Sequence, residues 1–325
     1  MLKRKLGSSN LEVSILGLGC MGMSEWYGPT NDDESVATIH AALDLGINFF
    51  DTADVYRNGH NETLVGKALK ERRNDAVIAT KFGFLPHEAG ISGKPEYAKR
   101  ACDASLKRLG IDTIDLYYLH RVDPQVPIED SVGAMADLVH EGKVKYLGLS
   151  EASAETLKRA CKIHPIAALQ TEYSIWVRDV EEKILPACVE FNIALVPYSP
   201  LGRGFLTGKV TDTKIFDAHD FRKNIPRFQE ENFQVNLNVV KELEKIAEEK
   251  NCKASQLALA WLFEQGENIF PIPGTKRKKY LVENAESVNI KLTKQELDAI
   301  SVLAKQIKGE RKTESGMKLV DGYNS

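Results

Sequence analysis

The stretch Asn48-Phe49-Phe50-Asp51-Thr52-Ala53-Asp54-Val55-Tyr56 passes from apolar to polar residues within a few positions. Its first part is typical of a buried strand, and its second part places an acid and a phenol where that strand ends. In parallel α/β barrels the chemistry lies at the carboxyl ends of the strands. The stretch therefore predicts a barrel strand that brings Asp51 and Tyr56 to a site at the barrel mouth.

Two later strand ends supply the groups that this stretch lacks. Ala79-Thr80-Lys81 ends in an ammonium, and Tyr117-Tyr118-Leu119-His120 ends in an imidazole. A phenol has an ordinary pKa of about 10, so Tyr56 needs a neighbouring cation such as Lys81 to act as an acid near neutral pH. Asp51 would hold that ammonium in place, and His120 would donate a hydrogen bond to a carbonyl oxygen. The four residues suit protonation of an oxygen while the adjacent carbon is attacked.

The rest of the chain alternates between apolar strand patterns and amphipathic helix patterns. The predicted strands are 15–19, 48–52, 76–81, 114–120, 144–150, 167–173, 193–198 and 269–273, and the predicted helices include 33–45, 61–71, 95–109, 128–141, 154–163, 180–191 and 255–264. This alternation predicts an α/β fold, a (β/α)8 TIM barrel. Residues 3–15 predict a short N-terminal β-hairpin, and 293–306 predict an extra C-terminal helix. Glycines 46, 110, 142 and 266 follow helical patterns, where a helix stop is expected.

Length and composition fit one large domain. The 325 residues are interpreted as a single barrel domain, 1–325, in which 310–325 form a mobile tail. The 43 Lys and Arg nearly balance the 46 Asp and Glu, so no basic excess indicates a nucleic acid or an anionic membrane as partner. Five widely spaced cysteines, with no C-x-x-C pair, support neither a metal site nor a disulfide framework. Without a signal-like or membrane-spanning run, a cytoplasmic protein is expected.

Two glycine motifs are poor matches to nucleotide-binding loops. Residues 17–22 spell G-x-G-x-x-G, but that fingerprint must open directly into a helix, and 23–29 intervene here. Residues 202–209 resemble a P-loop, but the spacing is wrong and Val210 stands where a metal-binding hydroxyl is needed. Neither a Rossmann fold nor a nucleoside triphosphate site is predicted.

Several separate phrases together resemble the aldo-keto reductase family. They are Leu16 to Met23 (LGLGCMGM), Phe50 to Tyr56 (FDTADVY), Leu147 to Ser153 (LGLSEAS), Tyr198 to Gly204 (YSPLGRG) and Ile272 to Thr275 (IPGT), and the match runs from about residue 3 to 306. The resemblance implies a barrel that binds NADPH and reduces aldehydes or ketones, with no metal. It also implies that Asp51, Tyr56, Lys81 and His120 are the catalytic tetrad, with Tyr56 as proton donor.

The same resemblance implies a set of cofactor contacts. Ser150 and Gln170 match positions that hold the nicotinamide carboxamide, Tyr198 matches the ring that stacks on the nicotinamide, and 274–277 match the segment around the adenosine 2′-phosphate. The matched positions are Gly22, Met23, Ser150, Glu151, Gln170, Tyr198, Ser199, Pro200, Leu201, Gly202, Arg203, Gly204, Gly274, Thr275, Lys276, Arg277, Glu283 and Asn284. The adjacent cations Lys276 and Arg277 suit a 2′-phosphate and favour NADPH over NADH.

Two positions depart from the family pattern. Glu151 stands where many members have an asparagine, and a carboxylate cannot donate to the carboxamide oxygen. Tyr280 stands where many members place an arginine on the 2′-phosphate, so the NADPH preference depends on Lys276 and Arg277.

Each candidate residue also has an ordinary structural explanation when taken alone. Asp51 suits a helix N-cap, a lone Lys81 is usually a surface charge, and His120 suits a structural histidine. Their coincidence at three successive strand ends favours catalysis. Two alternatives stay open: a cofactor-binding regulatory or scaffold subunit of the same fold, and a barrel hydrolase or isomerase that uses Asp51 or Asp54 as a base.

The substrate is expected to be a small carbonyl compound, and the sequence does not specify which one. Candidate substrate-binding residues are Trp26, Tyr27, Phe82, His120 and Trp176. The loops 25–27, 82–93 and 209–228 are expected to decide the choice among sugars, pyridoxal, methylglyoxal-like aldehydes and aromatic aldehydes. The oligomeric state is not readable from the sequence.

Overall fold

A parallel sheet of seven consecutive strands forms the barrel wall, preceded by an antiparallel hairpin. This computed structural model describes residues 1–86, 90–216 and 220–323. The hairpin pairs β1 (Lys3–Lys5) with β2 (Glu12–Ser14). The parallel strands, in sheet order, are β3 (Leu18–Gly19), β4 (Phe49–Asp51), β5 (Val77–Phe82), β6 (Ile114–Leu119), β7 (Val144–Ser150), β8 (Ile166–Glu172) and β9 (Ala194–Tyr198). The predicted hairpin and (β/α)8 arrangement are confirmed.

The eighth side of the barrel is an extended segment instead of the predicted regular strand. Residues 269–274 join their neighbours only through isolated bridges, Leu195 with Ile269 and Gly19 with Gly274. Pro271 and Pro273 have no N–H to donate, which explains the missing ladder. Their carbonyls still accept from Gly17 N at 2.9 Å and Gly19 N at 3.3 Å. The barrel is therefore closed by backbone carbonyl acceptors of residues 269–274, which we call the proline-containing seam.

Glycine is required where β3 meets this seam. A Cβ atom on Gly17 would lie 2.8 Å from the Ile272 side chain, and one on Gly19 would lie 2.8 Å from the Ile272 carbonyl oxygen. The G-x-G-x-x-G pattern thus serves barrel closure. A 3-10 turn at Met21–Met23 follows it, and the next helix begins only at Asp32, as expected for a chain without a Rossmann fold.

Helices surround the barrel and bury it from outside. They are α1 (Asp32–Asp44), α2 (His60–Leu69), α3 (Pro95–Leu109), α4 (Ile128–His140), α5 (Ala154–Cys161), α6 (Ile184–Glu190), α7 (Glu230–Glu249), α8 (Ala254–Phe263), α9 (Lys278–Glu286), the extra helix α10 (Lys294–Ala304) and α11 (Glu314–Met317). Asn31 and Ser153 cap α1 and α5, and Thr293 begins α10 with a capping box. The four glycines expected after helices all have positive φ. Among the described residues, no helix is long and apolar enough to cross a membrane.

The hairpin closes the end of the barrel opposite the site. Leu6 and Val13 pack with inward-facing strand residues such as Phe49 and Leu116. Gly7 lies directly against the backbone where β9 begins, since a Cβ there would be 2.7 Å from Ala194 N. With this end filled, the carboxyl ends of the strands are left as the open face of the barrel.

The C-terminal segment, in which 310–325 were predicted to form a mobile tail, packs onto that open face over its described residues. Arg311 is 6% exposed and forms ion pairs with Glu151 at 2.9 Å and with Glu172 at 3.4 Å. Asp321 accepts a hydrogen bond from Ser153 N at 2.9 Å. Buried ion pairs and a packed Met317 hold the described part of the tail, and residues 324–325 lie outside the described chain.

Candidate active site

Asp51, Tyr56 and Lys81 form one hydrogen-bonded group at the ends of β4 and β5. The Lys81 ammonium is fully buried and donates to Asp51 Oδ1 at 2.5 Å, Thr52 O at 2.7 Å and Tyr56 Oη at 3.2 Å. The parallel register that pairs Asp51 with Ala79 sets Lys81 beside the turn that carries Tyr56. The predicted contact between phenol and ammonium is therefore present.

The electrostatics of this group only partly follow the sequence argument. Burial raises the pKa of Tyr56 above its ordinary value, and the opposing effect of Lys81 does not outweigh it. Burial also raises the pKa of Asp51. Lys81 and a hydrogen bond that Gln170 donates at 2.7 Å act to lower this pKa, but burial outweighs them. The phenol is thus protonated at neutral pH. The Lys81 ammonium at hydrogen-bond distance would stabilise a phenolate at this position.

His120 completes the set from the end of β6. Its ring lies edge-on to Tyr56, with 6.0 Å between ring centroids, and edge-on to Phe84 at 4.7 Å. Burial, Arg121 and Lys81 hold the pKa of His120 well below its usual range, so the imidazole is neutral. Its Nδ1 is buried without a partner among the described residues. A neutral imidazole with its proton on the other nitrogen can donate to a substrate oxygen.

These groups lie at one part of a cavity of about 1160 Å³. Most of the predicted cofactor positions line it, together with Trp26 and Tyr27 of the predicted substrate set. The lining cofactor positions are Gly22, Ser150, Gln170, Tyr198, Ser199, Pro200, Leu201, Arg203, Gly204, Gly274, Thr275, Lys276, Arg277, Glu283 and Asn284. The cavity therefore joins the reactive groups to the 274–284 segment.

Two residues predicted to bind substrate lie elsewhere. Phe82 is fully buried and stacks on Tyr117, with centroids 4.9 Å apart, because successive strand residues face opposite sides and Lys81 faces the barrel interior. Trp176 is 5% exposed and packs against Gly202, where a Cβ would lie 2.4 Å from the indole. Both are packing residues, and neither lines the cavity.

Three predicted cofactor positions are also absent from the cavity lining. They are Met23, Glu151 and Gly202, all of which are buried. Gly202 lies against Trp176, and Met23 belongs to the core between sheet and helices.

Glu151 forms a buried ion cluster with the tail. Its carboxylate accepts from Arg311 at 2.9 Å and from Tyr198 Oη at 2.7 Å, and it lies 3.6 Å from the Lys312 ammonium. Burial alone would raise the pKa of Glu151, but Lys312, Arg311 and Arg121 hold it well below its usual range. In this protein the position uses its carboxylate to fix Tyr198 and the tail.

Lys276 is held by the loop that precedes α1. Its ammonium donates to the carbonyl oxygens of Tyr27 at 2.8 Å and of Pro29 at 2.5 Å. The Arg277 guanidinium, in contrast, makes no hydrogen bond or ion pair within the described parts of the chain. Lys209 lies over the Tyr280 ring at 4.0 Å and adds a third cation at this end of the cavity.

Sequence reasoning missed several groups at the site. Arg121, Lys312 and Leu319 line the cavity, and Glu172 joins the ion cluster. Arg121 directly follows His120, so its place at a strand end was a usable signal. The tail residues gave no such signal, because their sequence has no strand or helix periodicity. In the loops expected to decide the substrate, residues 87–89 and 217–219 lie outside the described chain.

Known proteins resemble this chain over nearly its whole length. The model for the "Aldo/keto reductase family" matches residues 15–305. Probable aldo-keto reductase 1 of Glycine max is 48% identical over 301 residues, which cover 91% of this chain and 87% of that protein. A glycerol dehydrogenase structure from Gluconobacter oxydans has a TM-score of 0.86 at 32% identity, covering 95% of this chain and 97% of that one. The holo form of a Bacillus halodurans aldo-keto reductase has a TM-score of 0.78 at 28% identity, covering 96% and 98%.

Proposed function

Because this chain belongs to the aldo-keto reductase family, whose members are nicotinamide-dependent oxidoreductases, we propose that it reduces aldehydes or ketones to alcohols with NADPH. The contact between Tyr56 Oη and the buried Lys81 ammonium, at 3.2 Å, carries this proposal. It provides a protonated phenol and a fixed positive charge beside a cavity large enough for a dinucleotide and a small substrate.

Tyr56 gives its proton to the carbonyl oxygen in the proposed reaction. A unit charge about 4 Å away stabilises the resulting phenolate by up to roughly 4 kcal/mol at an effective dielectric near 20. The neutral His120 donates a hydrogen bond to the same oxygen and orients it. The bound nicotinamide supplies the hydride that reaches the carbonyl carbon. No protein nucleophile is needed.

The polar groups of the cavity fit a nicotinamide dinucleotide. The Gln170 amide is already fixed by Asp51, and Ser150 accepts from Arg121 at 3.2 Å, so both strand-end side chains are held in place for a carboxamide. The Tyr198 ring is fixed through Glu151. In the adjacent loop, Arg203 Nε is buried with no partner among the described residues, which suits an anionic group such as a pyrophosphate.

A Tyr56→Phe variant tests the proposed chemistry. We expect kcat with NADPH and an aromatic aldehyde to fall by about 10²–10⁴-fold, because the variant loses the general acid. NADPH affinity, measured by fluorescence titration, should stay within about twofold since Tyr56 is not assigned to binding. Turnover like that of wild type would remove Tyr56 from its role. Tight NADPH binding with no turnover of any aldehyde by wild type would favour the regulatory subunit.

The cofactor preference is tested by a matched pair at adjacent positions. Arg277→Met should weaken NADPH binding by about tenfold or more and leave NADH binding nearly unchanged, because the Arg277 guanidinium, which has no partner among the described residues, is the group available for a 2′-phosphate. Lys276→Met should change both affinities by a similar factor, since its ammonium is occupied by the carbonyls of the 27–29 loop. Equal losses of NADPH and NADH in Arg277→Met would contradict the assignment.

A further inference from the structure

Two of the cations that line the cavity act on the His120 ring and belong to neither the tetrad nor the predicted cofactor set. They are Lys312, from the tail, and Arg121, which follows His120. Both contribute to lowering the pKa of His120, as expected of positive charges close to that ring. The substrate carbonyl would bind beside the same ring, so these cations lie near the substrate.

The Lys312 ammonium lacks hydrogen-bond partners within the described chain. Its side chain is 11% exposed, and the nearest carboxylate oxygen, of Glu151, is 3.6 Å away, beyond hydrogen-bond distance. It lies 5.4 Å from the centre of the Tyr198 ring. An ammonium has three donors, and burying them without acceptors is costly. Its donors are therefore available to acceptors that enter the cavity.

Arg121 is only partly satisfied as well. It donates to Ser150 Oγ at 3.2 Å and to the carbonyl oxygen of His120, while its Nε is buried without a partner in the described residues. The guanidinium lies 5.5 Å from the centre of the Phe84 ring. These contacts fix the guanidinium beside the cavity.

Positively charged side chains outnumber carboxylates around these two residues. The cluster contains Arg121, Arg203, Arg311 and Lys312, whereas its buried carboxylates are Glu151 and Glu172. Asp179 lies 3.8 Å from Arg311 but its side chain is 75% exposed, so solvent screens it. Glu25 also lines the cavity, and burial raises its pKa. Arg203 lies in the loop assigned to the pyrophosphate, and within the described chain neither Arg121 nor Lys312 has a carboxylate at hydrogen-bond distance.

We propose that Lys312 and Arg121 bind the carboxylate of an anionic substrate, so that the preferred substrates are aldehydes or ketones that also carry a carboxylate group. This inference depends on the proposed reductase function for its reaction. Charge-assisted hydrogen bonds to a carboxylate would satisfy the donors that the protein leaves open. Leu319 lines the same cavity and supplies apolar contact from the tail.

A pair of matched substrates tests the proposal. The quantity to measure is kcat/KM for 4-carboxybenzaldehyde relative to kcat/KM for its neutral isostere 4-formylbenzamide, at saturating NADPH. Wild type should prefer the carboxylate by about tenfold to a hundredfold, the range typical of one charge-assisted hydrogen bond. Lys312→Met should reduce this ratio by about tenfold, because Arg121 remains, and Lys312→Arg should retain most of it. Lys318→Met, which removes an exposed tail lysine paired with Glu314, is the control and should leave the ratio unchanged.

A binding measurement separates this inference from the reductase proposal. Calorimetric titration of benzoate and benzamide, with and without NADP⁺, should show benzoate binding that depends on Lys312. If both aldehydes are reduced at equal rates, the carboxylate site is wrong and the reductase stands. If neither is reduced but benzoate binds through Lys312, the reductase is wrong and the site stands. If Lys312→Met weakens NADPH binding and not the substrate ratio, the cation serves the cofactor and the inference fails.

Discussion

Two lysines at the barrel mouth, the buried Lys81 and the largely buried Lys312, have pKa values that shift in opposite directions. Burial acts to lower the pKa of both. At Lys81 the hydrogen-bonded Asp51 and Tyr56 outweigh burial and raise the pKa above its ordinary value. At Lys312 burial prevails over Glu151 and lowers the pKa to about 7.

The difference follows from hydrogen bonding more than from depth. Lys81 donates to three oxygens within 3.2 Å, whereas Lys312 has its nearest carboxylate oxygen at 3.6 Å. A carboxylate at hydrogen-bond distance compensates for the lost hydration of an ammonium, and one that is slightly farther away does not. The donors of Lys81 are therefore occupied by acceptors of the protein, whereas those of Lys312 are available to a ligand.

Removing each ammonium should affect stability very differently. Lys81→Met leaves Asp51 buried without its counter-charge, and we expect the free energy of unfolding to fall by about 3–5 kcal/mol. Lys312→Met removes a poorly satisfied cation while Arg311 still pairs with Glu151, so a change within about 1 kcal/mol is expected. Urea unfolding followed by tryptophan fluorescence measures both.

A second substitution distinguishes the loss of charge compensation at Lys81 from a loss of packing. Asp51→Asn in the Lys81→Met background removes the uncompensated carboxylate and should recover much of the lost stability. Failure of this recovery would show that Lys81 acts through packing. A loss at Lys312 as large as that at Lys81 would abolish the contrast between the two lysines.

The same contrast explains what the sequence could and could not predict. Asp51, Lys81 and His120 come from neighbouring strands, and the carboxyl ends of parallel strands necessarily meet, so their grouping was predictable. Lys312 comes from a segment without periodicity, and its place depends on the ion pair that the adjacent Arg311 forms with Glu151, which is distant in sequence. Such long-range pairing leaves no local pattern.

Errors about individual side chains had simpler physical causes. Phe82 follows Lys81 by one residue in a strand, so the twofold alternation already required it to face away from the barrel interior. Pro271 and Pro273 in the predicted eighth strand indicated that a regular ladder was unavailable there. Trp176 was not predictable, because its burial depends on close contact with Gly202 of a distant loop.

The pKa of about 7 at Lys312 predicts a pH-dependent choice of substrate. The ammonium is charged below that pH and neutral above it, whereas a benzoic acid group, with a pKa of about 4, stays ionised throughout. The preference for 4-carboxybenzaldehyde over 4-formylbenzamide should therefore decline, by up to about tenfold, as pH rises from about 6 to 9. The charged or titratable groups that surround Lys312 are Glu151, Glu172, Arg121, Arg311, His120 and Tyr198.

The neighbours whose pKa is shifted by their surroundings are not expected to produce the same effect. The pKa values of Glu151 and His120 are held well below their usual ranges, that of Tyr198 is raised by burial, and the arginines stay charged. We therefore expect Lys312 to be the group that titrates in this range. Using the ratio of the two substrates cancels any titration of the proton donor that both share. Lys312→Arg should keep the preference constant across this range, because a guanidinium remains charged. A decline that persists in Lys312→Arg would assign the titration to another group and leave Lys312 without its role.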